Sequence, residues 1–403
     1  MKKGILSSVV LAGLGISGAQ AMDFNFFGHV GGFYDQGFGA GNKTGIYNDG
    51  FASDKKVGYA GVTGHLGIDL GFNALHIGVG AYSGVPIWGT DITNYGSYAN
   101  AEYSKKYVDL SDLYLKYDAG DMTIAVGRFN NEFLGSDWIT SYTQGVAAKW
   151  KVRNFGIWAT WINDSTTYGY QPGRIASELS SWKRFPSSFD SFGIGNETFA
   201  GGMNFDFGFL KIDPFVHYYL HSKTNDTIQA GAKLALVFGE NGPVQSTTAF
   251  RYLWQNTFSV DNDSTMLFWG DEELLFGGFF KLGGGYYATT GGNGISTLNN
   301  VTRFYGSFFT PNYYGQQLNY FTANKNVWYV FTGVKSQWFD LDVLYADGNY
   351  SEFSAVASVT LFDTQVKGSL NGIALKLGGG YVSNGFNKAH QLHNVVAFAK
   401  LSF

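Results

Sequence analysis

Along much of the chain every second side chain is apolar, in segments of roughly ten residues separated by turn-forming residues. In the last of them, Gln391 to Phe403 (QLHNVVAFAKLSF), Val395, Ala397, Ala399 and Leu401 share one parity. Asn394, Lys400 and Ser402 fall on the other, although Val396 and Phe398 blur it. Side chains alternate faces along a strand, so each such segment reads as a β-strand with one apolar and one polar or mixed face.

The same reading predicts strands through the rest of the chain. The first covers Phe24 to Tyr34. In the second, Val62, Leu66, Ile68 and Leu70 oppose Thr63, His65 and Asp69. A tight turn at Gly71-Phe72-Asn73 leads to a third, with Leu75, Ile77, Val79 and Ala81 on one face. After a long polar loop, Leu113, Leu115 and Tyr117 oppose Asp112, Tyr114 and Lys116. A turn at Ala119-Gly120-Asp121 then reverses the chain into Met122 to Phe129. Val146, Ala148 and Trp150 oppose Lys149 and Lys151. Beyond Arg153-Asn154 the outward set is Ile157, Ala159 and Trp161. Further strands are expected near 197–208, 211–221, 226–239 and 245–258, and two more within 264–288 that reverse at Gly277-Gly278. The final five lie near 326–335, 339–346, 352–362, 371–382 and 391–403. The tally is 18, with 16 as the alternative. Connections alternate between tight turns and long polar loops, and residues 176–183 of the loop at 164–196 are expected to form a helical turn or two.

This rhythm predicts an all-β fold: one antiparallel transmembrane β-barrel, with short turns at one end and long loops at the other. A soluble sandwich shows no such bias. Composition agrees. Glycine (56) is abundant, aromatics make up 18%, prolines number only six and charged residues only 14%. Few prolines suit a chain bonded into ladders, and aromatics suit the girdles of a membrane barrel. After the N-terminal segment no run of about 20 apolar residues occurs, so helical spans are not expected. Cysteine is absent, and a closed barrel has little need of disulfides.

The N-terminus begins Met1-Lys2-Lys3, continues with small and apolar residues from Ile5 to Ile16, and reaches Ala19-Gln20-Ala21. This is the pattern of a secretory signal peptide over 1–21, leaving residues 22–403 as a single barrel domain. Lys2 and Lys3 are part of the basic total, so that domain is more acidic than the formal net charge of −4. No polyelectrolyte argument for nucleic acid follows.

Backbone groups in hydrocarbon must be satisfied internally, which a closed barrel achieves. At 16 to 18 strands side chains cannot fill the interior, so passive solute passage is the expected function, selected by whatever narrows and charges the lumen. Two features are candidates. Ile124 to Gly145 runs from a strand into a loop carrying Arg128, Glu132 and Asp137 among Phe133, Leu134, Trp138 and Ile139. Such apolar loop residues suit a segment folded into the barrel, or one covering its rim or touching lipopolysaccharide. The second is a set of bases on the polar parity: Lys116, Lys149, Lys151, Lys233, Arg251, Lys281 and Lys376. Charge is costly on a lipid face, so these are expected inward or near an interface. They would favour anionic or carboxylate-bearing solutes, or merely solvate a nonselective channel.

The C-terminal Phe403 resembles the last residue of bacterial outer-membrane barrels, whose final strand is read by the barrel-assembly machinery. The strand count, the third long loop GRFNNEFLGSDWITSYTQG and the long seventh loop at about 289–325 resemble OprD-type specific porins. DLYLKYD at 112–118 and IWATWINDSTTYG at 157–169 look closer to Hof-type outer-membrane proteins of epsilonproteobacteria. The resemblance implies an outer-membrane porin whose third and seventh loops fold inward, with Arg128, Glu132 and Asp137 in the constriction. It also implies a basic ladder guiding carboxylates, and as partners outer-membrane lipid, lipopolysaccharide and small solutes.

Two rival classes are weaker. For an enzyme, His217 and His221 stand about 13 Å apart on a strand at roughly 3.3 Å per residue, too far to share a metal. His390 and His393 fall on opposite parities, and no hydrolase, zinc-protease or dinucleotide motif is present. His65 with Asp69, and the acids Asp261, Asp263, Asp271, Glu272 and Glu273, read as solvation or weak divalent binding, so no cofactor is expected. For a surface adhesin, Trp182, Lys183, Arg184 and Phe185 in the loop at 164–196 are candidate contacts.

Overall fold

The computed structural model describes residues 22–38, 57–89, 108–139, 142–165, 197–220, 226–258, 263–292, 294–295, 302–306, 320–364, 372–386 and 392–403. Expectations for the signal peptide and for residues 166–196 lie outside the described residues. Eighteen strands form one sheet. In chain order they are β1 (Asp23–Phe38), β2 (Val57–Phe72), β3 (Leu75–Gly89), β4 (Val108–Asp118), β5 (Met122–Asn130) and β6 (Tyr142–Val152). Then come β7 (Phe155–Ser165), β8 (Thr198–Asp206), β9 (Leu210–Tyr219), β10 (Thr227–Phe238), β11 (Val244–Thr257) and β12 (Asp263–Phe276). The last six are β13 (Phe280–Thr289), β14 (Asn326–Lys335), β15 (Phe339–Gly348), β16 (Ser351–Thr364), β17 (Ile373–Gly385) and β18 (Leu392–Ser402).

Each strand pairs antiparallel with its chain neighbours, and β1 pairs with β18 from His29↔Ser402 to Phe38↔His393. The sheet is therefore a ring with no edge, and its backbone groups are bonded without solvent. Beyond the ladder, Gly28 and Phe403 exchange backbone bonds at 2.9 and 3.0 Å, and Phe403 stacks on Phe26 with centroids 5.1 Å apart.

Most turns at the end where β1 begins and β18 ends are tight. The β2–β3 and β6–β7 reversals take up two residues each, with Asn73 (φ 56°) and Arg153 (φ 52°) in the left-handed region that two-residue hairpins require. Connections at the other end vary from two residues between β15 and β16 to 36 between β13 and β14, and the longest ones lie there.

The two faces divide as their parity predicts. On β10, Ile228, Ala230, Ala232, Leu234, Leu236 and Phe238 point out, and Gln229 and Lys233 point in. Neighbouring strands leave Phe250, Phe268, Tyr286, Trp328 and Val330 each about half exposed. An apolar exterior of this extent is foreign to a water-solvated monomer and suited to hydrocarbon. No described helix is long and apolar enough to cross a membrane. The buried cluster lies inside the ring, where Trp138, Trp158, Phe215, Trp269, Phe304, Phe321 and Tyr329 pack together.

Candidate functional site

A segment after β5 turns into the barrel. Its entry is local: the Asn130 side chain accepts the Glu132 N–H at 3.1 Å and opens a single 3-10 turn, Asn131–Leu134. Gly135, at φ 72°, closes the turn by donating to the Glu132 carbonyl at 2.9 Å. The turn's last carbonyls point at the wall. There Lys149 Nζ donates to Phe133 O (2.9 Å) and Leu134 O (3.2 Å), placing a cation where a helical turn is negative. Leu134, Trp138 and Ile139 are buried. Trp138 packs on Phe215 of β9, and Asp137 reaches Lys233 of β10 (2.9 Å) and Arg251 of β11 (3.2 Å). The segment joins β5 to β6, so reaching β9–β11 takes it across the lumen.

A second segment, between β13 and β14, meets it from the other side. Arg303 binds Asp271 (3.1 Å) and Glu273 (2.6 Å) of β12, and its guanidinium lies 4.0 Å from the centroid of Phe331. Phe304 packs among Tyr287, Tyr320, Tyr329 and Tyr350. Phe321 touches Trp269 and Tyr287, and also Trp138 of the first segment at 6.3 Å between centroids.

Between the two segments the charges alternate in an unbroken chain: Lys233, Asp137, Arg251, Asp271, Arg303, Glu273. Three cations face three anions, so each guanidinium is held by two carboxylates. Arg251 also lies 4.3 Å from the centroid of Trp269. Burial alone would push the Asp137 carboxyl up, but the charges and hydrogen bonds of Lys233 and Arg251 outweigh it and hold it below the ordinary carboxylate value. Burial likewise opposes the charge of Arg303, and Asp271 and Glu273 more than offset this, raising it. The array is a fixed, compensated polar wall.

The residues expected at the constriction do not all meet there. Asp137 lies at the centre of the charge chain. Glu132 is exposed, next to the Asn130 amide at 3.3 Å. Arg128 is a correction. In register it opposes Leu113, whose side chain is exposed on the outer face, so Arg128 also points outward. It donates to Gln144 Oε1 (2.8 Å) and Leu110 O (3.0 Å) near the loop end of β5. The expected bases do face inward, but several are neutralised. Lys281 pairs with Asp342, and Lys116 lies 3.7 Å from Asp118 at the turn end. Lys376 stands opposite Lys400 across β17 and β18. Lys149 and Lys151 border a recess of about 150 Å³ below the first segment, with Lys211, Asp206, Asp213 and Asn204.

The remaining polar candidates sort differently from expectation. His65 does not pair with Asp69. Its Nε2 lies 2.6 Å from Asp112, while Asp69 takes His76 (2.7 Å) and the Tyr114 hydroxyl (2.6 Å). Glu272 points outward, opposite Thr248, and accepts from the Ser246 and Thr248 hydroxyls. Among the described residues no group of three or more His, Cys, Asp or Glu side chains is arranged to hold a metal. Sequence reasoning missed Arg303, Glu273 and Asp271 as members of the charge chain. On β12 both parities are apolar (Leu267, Trp269 and Leu275 against Phe268 and Leu274), so alternation there carries no inward signal.

No family model matches the sequence, and no curated protein matches it in sequence. Solved structures do match in fold. A BenF-like porin from Pseudomonas fluorescens Pf-5 aligns with a TM-score of 0.65 at 12% identity, covering 94% of this chain and 98% of that one. OccK3 (OpdO) of Pseudomonas aeruginosa aligns at 0.62 and 12%, covering 94% and 96%. OpdK of Pseudomonas aeruginosa with vanillate aligns at 0.62 and 10%, covering 94% and 99%. Over nearly its whole length the chain has the fold of these OprD-type porins, a closed antiparallel barrel of 18 strands.

Proposed function

We propose that this protein is a bacterial outer-membrane porin giving passive passage to small hydrophilic solutes through a lumen narrowed by its third and seventh loops. The observation that carries this reading is the meeting of two inward segments, Trp138 against Phe321, across an 18-stranded ring with an apolar exterior. In this reading outer-membrane lipid and lipopolysaccharide cover the exterior, and the C-terminal strand is what the assembly machinery recognises. The porin fold of its structural neighbours supports a channel rather than an enzyme. The likeness to Hof-type proteins belongs to the same proposal.

Selectivity is the finer part. The charge chain from Lys233 to Glu273 is balanced, so the constriction itself offers little net attraction for either sign. A preference for anions or carboxylates would arise beside it, where Lys149 is bonded to the Phe133 and Leu134 carbonyl oxygens and Lys151 borders the same recess. Vanillate, present in one structural neighbour, carries a carboxylate and is a suitable first solute to try. Purified protein in a planar bilayer tests both parts. Unitary conductance steps are expected, with a reversal potential in a salt gradient displaced modestly towards anions. Absence of any channel would favour an adhesin-like barrel, and clear cation preference would remove the anion reading.

A further inference from the structure

The short run Arg303-Phe304-Tyr305-Gly306 is docked on the wall by every residue in it. Arg303 and Phe304 are accounted for above by ion pairs and ring contacts. The next two are held by a single carboxylate. Glu352, at the loop end of β16 and 1% exposed, accepts the Tyr305 N–H at 2.7 Å on Oε1 and the Gly306 N–H at 2.9 Å on Oε2. The Tyr350 hydroxyl donates to Oε2 as well, at 2.5 Å. The Tyr305 side chain runs to β15, where its hydroxyl donates to Asp342 at 2.5 Å. Tyr305 is thus fixed at its backbone by one carboxylate and at its phenol by another.

The backbone can reach Glu352 only because residue 306 has no side chain. A Cβ on Gly306 would lie 2.2 Å from the Tyr350 hydroxyl and 2.5 Å from Asn384 Nδ2. The carboxylate is also matched to its donors. Three donors, two N–H and one O–H, converge on two acceptor oxygens, and hydrogen bonds to a charged acceptor are the stronger kind. An amide in its place would turn one acceptor into a donor and set it against an N–H or the phenol.

We propose that Glu352 is the positioning residue that holds the 303–306 segment against the barrel wall and so sets the open width of the pore. This rests on the porin reading above and adds the residue that fixes the constriction. Glu352 touches no solute. It acts through Tyr305 and Gly306, and through them on where Arg303 stands in the charge chain.

The test is single-channel conductance and the size cut-off for neutral sugars in liposome swelling. It compares the wild-type protein with Glu352→Gln, Gly306→Ala and Tyr350→Phe. Heat-modifiable gel mobility checks that each barrel is folded. Glu352→Gln and Gly306→Ala disturb the same contact from opposite sides, and both are expected to shift the conductance distribution and the cut-off. Tyr350→Phe removes one of the three donors and leaves both N–H bonds, so it is expected to shift both readouts in the same direction by less than Glu352→Gln. Folded Glu352→Gln and Gly306→Ala barrels with wild-type conductance and cut-off would overturn the proposal. A wild-type protein without channels would instead remove the porin reading. Should the variants fail to fold, hydrogen exchange on the wild-type protein decides. Slow exchange at the Tyr305 and Gly306 amides supports the docked segment, and rapid exchange overturns it.

Discussion

Asp137 shows at the scale of one residue how the docking of the inward segment depends on charge pairing. Its carboxyl is held below the ordinary value by Lys233 and Arg251, so the pairing contributes fully above the unfolded value of about 3.9. It is lost only as pH falls through the lower folded value. Conductance measured from neutral pH downwards is therefore expected to stay constant to about pH 4 and to change below it. Asp137→Asn should change it already at neutral pH, because Lys233 loses its ion-pair partner and Arg251 keeps Asp271 alone. Removing one partner of a buried pair costs about 3–5 kcal/mol, and the partial exposure of these side chains places this site at the lower end. Arg128 gives the contrast. Pointing outward from the loop end of β5, Arg128→Ala should leave both conductance and ion selectivity at wild-type values. A changed selectivity would contradict the register. That outward position was readable from the chain, since Met122, Ile124, Val126 and Arg128 share one parity.

Among elements, the strands were the most legible part. Alternation and turn residues placed the reversal at Gly277-Gly278, and the structure has β12 and β13 separated by residues 277–279. The pairing of charges across strands was not legible, because it depends on register and on what lies between. Lys281, Gly333 and Asp342 form one lateral row across β13, β14 and β15, and Lys281 reaches Asp342 over the intervening strand. Only glycine permits this. A Cβ at 333 would stand 2.2 Å from the Leu341 carbonyl oxygen, 2.6 Å from Lys281 Cε and 3.1 Å from an Asp342 carboxylate oxygen. Gly333→Ala should separate the pair and cost about 1–3 kcal/mol through overpacking, read as a lower urea midpoint of the folded barrel. The inward-charge rule also has an element-scale exception. Glu272 faces out yet is hydrogen-bonded by Ser246 and Thr248, two hydroxyls on the adjacent strand that a parity count cannot supply.

For the whole molecule, the decisive element is the seam between the first and last strands. Terminal alternation and the final aromatic residue anticipated it, and the structure completes it with the Phe26–Phe403 stack. Removing Phe403 is expected to lower the yield of folded, heat-modifiable protein while leaving the conductance of the barrels that do form unchanged. The seam also imposes an order in time. Most ladders join neighbours in sequence and can form as soon as both strands exist, but this one joins residues 29–38 to residues 393–402. Long-range pairing of this kind is slow and leaves strand edges open to aggregation. Until the last strand arrives the protein is an incomplete ring with two sticky margins and an oily outer surface. The rate of that final pairing, more than the strength of any hairpin, would then govern how much of it reaches the folded state.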